Sequence, residues 1–118
     1  MREIKFYKTR SGRCPVEEYL DSLPAKQVRK ITWVLNLIEH HDRIPKEYFK
    51  KLSGTSDIWE VRIQLGSNIF RLLGFVDGGK FVVLTNGFTK KSQKTPKREI
   101  EIAQQRKEDY LAQQHLRK

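Results

Sequence analysis

The chain has 118 residues, with 24 Lys and Arg against 14 Asp and Glu, a net charge of +10 and a pI near 9.9. This length is typical of one domain, so we expect a single domain over residues 1–118, with a frayed polar tail at 112–118. The sequence has no apolar run of the about 20 residues that a membrane span needs, no signal peptide, and one cysteine, Cys14, so a cytoplasmic protein without disulfides or membrane contact is expected.

The first half of the chain is typical of a strand followed by two helices. Loose alternation over residues 2–9 predicts the strand, and Pro15 predicts the start of a short helix, with acidic residues in its first turn. From Pro24 to about Asp42, apolar residues recur at helical spacing and predict an amphipathic helix. We expect its apolar stripe in the core: Val28, Ile31, Trp33, Val34, Leu35, Leu37 and Ile38.

The second half predicts three strands and a last helix. Residues 44–56 are expected to be connecting chain, followed by strands at 57–65, 68–76 and 80–88. Gly66-Ser67 and Asp77-Gly78-Gly79 are hairpin signals, so the strands should form an antiparallel meander. Thr95 is expected to cap the final helix, with Pro96 at its first position. The fold class is therefore α+β with a compact antiparallel sheet.

Two arginines are expected to face each other across the first hairpin. If Gly66-Ser67 is a two-residue loop, Arg62 lies opposite Arg71, and like charges at that separation destabilise a sheet. A phosphate-binding role would explain the pair, because each guanidinium offers two parallel donors. Two alternatives stay open: Glu60 neutralises the pair, or a longer loop shifts the register.

The second hairpin extends the arginine face. Depending on the loop, Asn86 or Leu84 lies opposite Arg71. Either register has the same parity, because strand side chains alternate between faces. The face should therefore combine Arg62, Arg71, Asn86, Phe88 and Lys90, while the core face carries Trp59, Val61, Ile63 and Leu65.

A basic loop follows the meander. Five of the ten residues 89–98 are basic and none is acidic. A helix N-terminus adjoins this run and offers free N–H donors to phosphate. Phe88 offers a surface for base stacking, although its alternative role is in the core. A second basic patch precedes the meander at Lys46, Lys50 and Lys51. The combination favours RNA as the partner.

These segments resemble the toxin branch of the RelE/ParE superfamily, and in particular the HigB-type toxins known as phage-derived Gp49-like proteins. The resemblance covers about residues 2–111. It rests on Ile58-Trp59-Glu60-Val61-Arg62, Phe70-Arg71-Leu72, Asn86-Gly87-Phe88-Thr89-Lys90-Lys91 and Gln93-Lys94-Thr95-Pro96. It implies a RelE-like fold and a toxin of a type II toxin–antitoxin system that cleaves mRNA on the ribosome. It also implies a cognate helix-turn-helix antitoxin, similar to HigA.

The resemblance also implies the chemistry and its residues. The 2′-hydroxyl of RNA attacks the adjacent phosphate, with no metal or other cofactor. Arg62 and Arg71 would hold the scissile phosphate and stabilise its added charge, and Lys90 would support that charge or assist proton transfer. Phe88 would pack against a base. Backbone phosphates would be bound by Lys50, Lys51, Lys91 and Lys94.

One departure from the family pattern concerns the general base. Many relatives read His-Gly-Phe where this chain has Asn86-Gly87-Phe88, and asparagine does not titrate near neutral pH. Either charge stabilisation carries the reaction, or a lysine with a depressed pKa takes part. Two rival functions stay open: a ParE-like toxin that poisons DNA gyrase, and a phage-derived protein that binds nucleic acid without cleaving it. A metallonuclease is not expected, because no His, Asp and Glu cluster has ligand spacing.

Overall fold

The computed structural model describes residues 1–90 and 94–116, which form five strands and three helices. In chain order these are β1 (Glu3–Phe6), α1 (Pro15–Asp21), α2 (Ala25–His40), β2 (Phe49–Lys51), β3 (Trp59–Leu65), β4 (Asn68–Asp77), β5 (Phe81–Lys90) and α3 (Lys97–Leu116). The strands form one sheet in the order β1-β5-β4-β3-β2. The predicted α+β class is confirmed. No helix of the described chain is long and apolar enough to cross a membrane.

The sheet differs from the predicted one at both edges. Strands β3 to β5 form the expected antiparallel meander, but β1 pairs with β5 in parallel, so the sheet is mixed. At the other edge, three residues of the expected connecting chain form β2 and pair with β3. Mixed sheets with one differently oriented edge strand are common, and so short a strand leaves little pattern in the sequence.

The first hairpin has the predicted register and the second does not. Leu65 pairs with Asn68, and Gly66 takes a φ of 63° in the two-residue loop between them. In the second hairpin Asp77 pairs with Phe81, which gives a three-residue loop. A β-bulge then shifts the register next to Gly74, where an added Cβ would lie 2.0 Å from the Val83 carbonyl oxygen. The chain approaches too closely there for any residue except glycine.

Helices cover both faces of the sheet. Helices α1 and α2 pack on the face of Val61, Ile63 and Leu72, as the alternation of β3 predicted. Helix α3 packs on the other face through two smaller clusters, one around Ala103 and one around Tyr110. Strand β4 is central and receives helices on both sides, which is why residues 69–75 are buried without alternation.

The C-terminal half of α3 is fixed to the segment that follows β1. The Tyr7 hydroxyl donates to the Asp109 carboxylate at 2.5 Å, and Arg10 and Gln113 donate to the same carboxylate. The helix continues to Leu116, beyond the Ala112 at which the polar tail was expected to fray. These contacts join the N-terminal strand to the C-terminal helix and leave the other end of α3 beside the arginine pair.

Candidate nucleic-acid interface

Arg62 and Arg71 lie directly opposite each other across β3 and β4, as the sequence predicted. The row continues to Phe88 on β5, where Asn86 or Leu84 had been expected. The bulge and the longer loop together move the register by two residues, so the predicted parity survives. Arg62, Arg71 and Phe88 therefore share one face of the sheet.

The two guanidiniums have different environments. Arg71 is fully buried at 0% exposure, whereas Arg62 is half-buried. Arg62 lines a cavity of about 270 Å³ together with Lys30, Tyr48 and other side chains. Arg71 is therefore covered by other parts of the chain, whereas Arg62 borders a cavity, and the phosphate-binding role of the pair stays a prediction.

A buried carboxylate accompanies the buried arginine. Arg71 donates from Nη1 to the Thr95 hydroxyl at 3.1 Å, and Thr95 in turn donates to Glu60. Glu60 is only 1% exposed. Burial lowers the pKa of Arg71, the Glu60 carboxylate opposes that change, and the Arg62 guanidinium adds to it. Glu60 thus supplies the compensating charge, as one of the two alternatives supposed.

Thr95 has a role that its sequence position did not indicate. Its hydroxyl bonds Arg71 and Glu60 instead of capping α3. The carbonyl of Pro96 accepts from Glu99 and Ile100 and so begins the helix. The predicted cap is wrong by one residue, and Thr95 instead ties the start of α3 to the charged pair beneath it.

Phe88 is half-buried against an apolar cluster on the α3 side of the sheet. The cluster contains Ile58, Leu73 and Ala103, and Ile100 also packs on it. Much of the ring is therefore occupied by core contacts. This location agrees with the core alternative for Phe88 and leaves less of the ring for a base than an open platform would.

The predicted lysines divide between the two faces. Lys90 is exposed at the end of β5, two residues beyond Phe88 on the arginine face, and Lys94 is exposed just before α3. Lys50 is exposed opposite Glu60 on the same face. Lys51 points to the other face and pairs with Asp57 at 2.6 Å, which lowers the pKa of that carboxyl. Lys91 lies outside the described residues.

Asn86 is a structural residue at the base of α3. It is 4% exposed, and its amide donates to the Glu99 carbonyl at 3.3 Å and to the Glu99 carboxylate at 3.1 Å. Its oxygen accepts from Thr85 at 2.6 Å. The described histidines, His40, His41 and His115, are exposed and lie outside the meander, as expected. Asn86 thus anchors the helix and offers no group for proton transfer.

Close packing explains why position 87, in the segment that carries the family resemblance, is a glycine. An added Cβ would lie 2.4 Å from the Tyr19 ring and 2.7 Å from Leu72. The Tyr19 hydroxyl also bonds the Thr89 hydroxyl at 2.6 Å. Helix α1 is thereby fixed against the end of β5, which positions Lys90. In residues 1–90 and 94–116, no three His, Cys, Asp or Glu side chains are grouped to hold a metal.

Comparison with protein families identifies the chain. The model of the family described as Phage derived protein Gp49-like (DUF891) matches residues 18–108. The chain belongs to this Gp49-like family. A chain in the crystal structure of the archaeal RelE–RelB complex from Pyrococcus horikoshii OT3 has the same fold, with a TM-score of 0.50 and 21% identity over 79% of this chain and 98% of that one. A search of curated protein sequences gives no match. The resemblance to the Gp49-like branch and the RelE-like fold are confirmed.

Proposed function

We propose that this Gp49-like protein is the toxin of a type II toxin–antitoxin system and cleaves mRNA on the ribosome without a metal. The observation that carries the proposal is the opposed arginine pair, in which Arg62 reaches the surface beside a rim of exposed lysines. Sheet stability alone disfavours two like charges in register. The buried Glu60 carboxylate compensates one of the two cations, and a phosphate group bound at this rim would compensate the other.

The proposed reaction is a transesterification in which the substrate's own 2′-hydroxyl is the nucleophile. The 2′-oxygen bonds to phosphorus, the bond from phosphorus to the 5′-oxygen breaks, and a cyclic phosphate and a 5′-hydroxyl result. The 2′-hydroxyl gives up a proton and the leaving 5′-oxygen gains one. Charge accumulates on the non-bridging oxygens, so fixed donors aimed at them lower the barrier.

The residues take distinct roles in this proposal. Arg62 contacts the phosphate directly and stabilises its added charge. Arg71 adds positive potential from beneath the sheet surface, where a low dielectric strengthens its effect. Lys90 supports the developing charge or takes part in proton transfer, and Lys50 and Lys94 bind neighbouring phosphates. Phe88 contacts a base with the part of its ring that the core leaves open.

The proposed partner is a helix-turn-helix antitoxin similar to HigA that covers the basic surface. The similar archaeal chain belongs to a RelE–RelB complex, and the likeness in fold supports a comparable arrangement here. Lys91, outside the described residues, is proposed to join the phosphate-binding lysines. A DNA gyrase poison would use the same fold without needing Arg62 at a phosphate. A non-catalytic nucleic-acid binder would use Arg62 for affinity alone, so its loss would weaken binding and make it less dependent on salt.

Primer extension on a reporter mRNA translated in a purified system tests the function. We expect new 5′ ends, seen as stops of reverse transcription, only when ribosomes translate in the presence of the protein. Arg62→Ala should lower cleavage by about 10²–10³-fold, which is typical of losing one transition-state donor. Arg43→Ala removes the same charge from an exposed position distant from the pair and should cleave normally. Absence of cleavage by the unaltered protein would overturn the proposal and direct attention to gyrase supercoiling.

A further inference from the structure

Trp33 lies on α2 with half of its side chain exposed, at 51%, although the periodicity predicted it in the core. Helix α2 buries Ile31, Val34, Leu35 and Ile38, and Trp33 lies outside that stripe. Exposing a large aromatic side chain to water costs free energy, and a ligand that covered the ring would recover it. Lys30 places its ammonium 4.7 Å from the ring centroid, one turn earlier on the helix.

A second aromatic side chain connects Trp33 to the arginine pair. Tyr48 meets Trp33 edge to face, with centroids 6.2 Å apart and an interplanar angle of 83°. The Arg62 backbone amide donates to the Tyr48 carbonyl at 2.8 Å, which fixes the two residues side by side. Tyr48 and Arg62 line the same cavity of about 270 Å³, together with Lys30, Glu47 and Gln64. Two aromatic side chains, of Trp33 and Tyr48, thus lie beside two basic ones, of Lys30 and Arg62.

We propose that Trp33, Tyr48 and Lys30 form a base-binding subsite for single-stranded RNA, adjoining the phosphate contact of Arg62. This inference rests on the proposed function and extends it to a nucleotide next to the scissile phosphate. A base stacks on the Trp33 ring, and the neighbouring phosphates lie against Lys30 and Arg62. Stacking on aromatic side chains beside cations is the usual way in which proteins bind unpaired nucleotides.

The lining favours a base over a second phosphate in the cavity itself. Glu47 carries the only acidic side chain among the five that line it, and a carboxylate repels phosphate but accepts hydrogen bonds from base N–H groups. Gln64 offers both donors and an acceptor. The charge of Lys30 and Arg62, within a chain of net charge +10, favours RNA over a neutral protein partner.

Intrinsic fluorescence gives a direct test, because the chain has two tryptophans. Trp59 is stacked on Phe49 at 4.7 Å on the face that α1 and α2 cover, so Trp59→Phe leaves Trp33 as the sole tryptophan, which excitation near the red edge of the absorption band selects over the tyrosines. An RNA of about eight adenosines, which suits the site sizes of single-strand binders, should quench Trp33. The same sugar-phosphate backbone without bases should quench it little. Equal quenching by both would overturn the proposal, because charge alone would then explain binding.

Binding by variants of the full chain completes the test. Trp33→Ala should weaken binding of the adenosine RNA by about tenfold, and Trp33→Phe should restore most of it. Thr32→Ala, at an exposed neighbouring position of α2, is the matched control and should bind normally. If Trp33→Ala binds RNA normally but fails to capture a coexpressed antitoxin, the surface belongs to a protein partner and the proposal is wrong.

The two proposals fail in different ways. If the unaltered protein cleaves mRNA on ribosomes while Trp33→Ala changes neither binding nor cleavage, the subsite alone is refuted. If base-dependent quenching occurs without any cleavage, the subsite stands and the nuclease function is refuted.

Discussion

Replacement of Glu60 by glutamine tests how the fold tolerates its buried arginine. Glu60 and Arg71 are 1% and 0% exposed and are joined through the Thr95 hydroxyl. The glutamine keeps an oxygen that accepts from Thr95 but removes the negative charge. Breaking a buried charge pair from one side costs about 3–5 kcal/mol. We expect a loss of about 3 kcal/mol, at the lower end because the hydrogen bond is retained.

Urea unfolding followed by far-ultraviolet circular dichroism measures this loss. For an m-value of about 1.5 kcal/mol/M, the midpoint should fall by about 2 M with the m-value unchanged. Glu47→Gln removes an identical charge from an exposed position and should alter stability by less than about 0.5 kcal/mol.

A second substitution distinguishes a buried charge from a general packing loss. Adding Arg71→Met to Glu60→Gln removes the stranded cation, so the double variant should be more stable than Glu60→Gln alone. The reasoning is refuted if Glu60→Gln costs no more than Glu47→Gln, or if the losses of the two single variants simply add.

Three further predictions follow from the site and its supports. If Lys90 supplies charge, Lys90→Arg should keep most of the cleavage rate that Lys90→Ala loses. If both variants lose the single-turnover cleavage rate equally, Lys90 takes part in proton transfer instead. Gly87→Ala should lower the melting temperature, with a cost of about 1–3 kcal/mol from the clash with the Tyr19 ring, and adding Tyr19→Leu should recover part of it. Burial and the bond to Asp109 raise the pKa of Tyr7 to about 12 from 10.0, so the folded state retains its proton longer than the unfolded chain. Stability should therefore fall as the pH rises from about 10 to 12, and Tyr7→Phe should reduce that slope in denaturation measured across the range. Part of the slope should remain, because burial also raises the pKa of Tyr19.

Local signals in the sequence determined the parts of the fold that were predicted correctly. Gly66-Ser67 is a strong two-residue turn, so counting outward from it placed Arg62 opposite Arg71. The same method failed for the second hairpin, because its loop has three residues and a bulge next to Gly74 adds one more. The isolated glycine within the strand was the signal that could have indicated the bulge. The parallel pairing of β1 with β5 depends on contacts between distant segments, which periodicity cannot reveal.

The site was predicted less completely than the fold, because burial is a tertiary property. Residue type and parity placed Arg71 on the correct face, but they could not show that the start of α3 covers it. Thr95 looked like a helix cap because threonine before proline has that preference, and the buried charge pair then determined its bonds instead. Trp33 fitted the helical stripe closely enough to be counted in the core. Placing each residue at 100° per position around α2 would have shown that Trp33 lies outside the stripe of Ile31, Val34, Leu35 and Ile38.

The link from Arg71 through Thr95 to α3 has a consequence for how the protein can lose activity. A substitution at Arg71 alters the attachment of a helix as well as the charge of the interface, so inactive chains that arise there should also be short-lived in the cell. A substitution at Arg62 instead changes a half-buried side chain that lines a cavity. Selection for harmless copies should therefore yield two classes of mutant, one degraded and one abundant but inert. The abundant class, altered at Arg62, would still occupy an antitoxin.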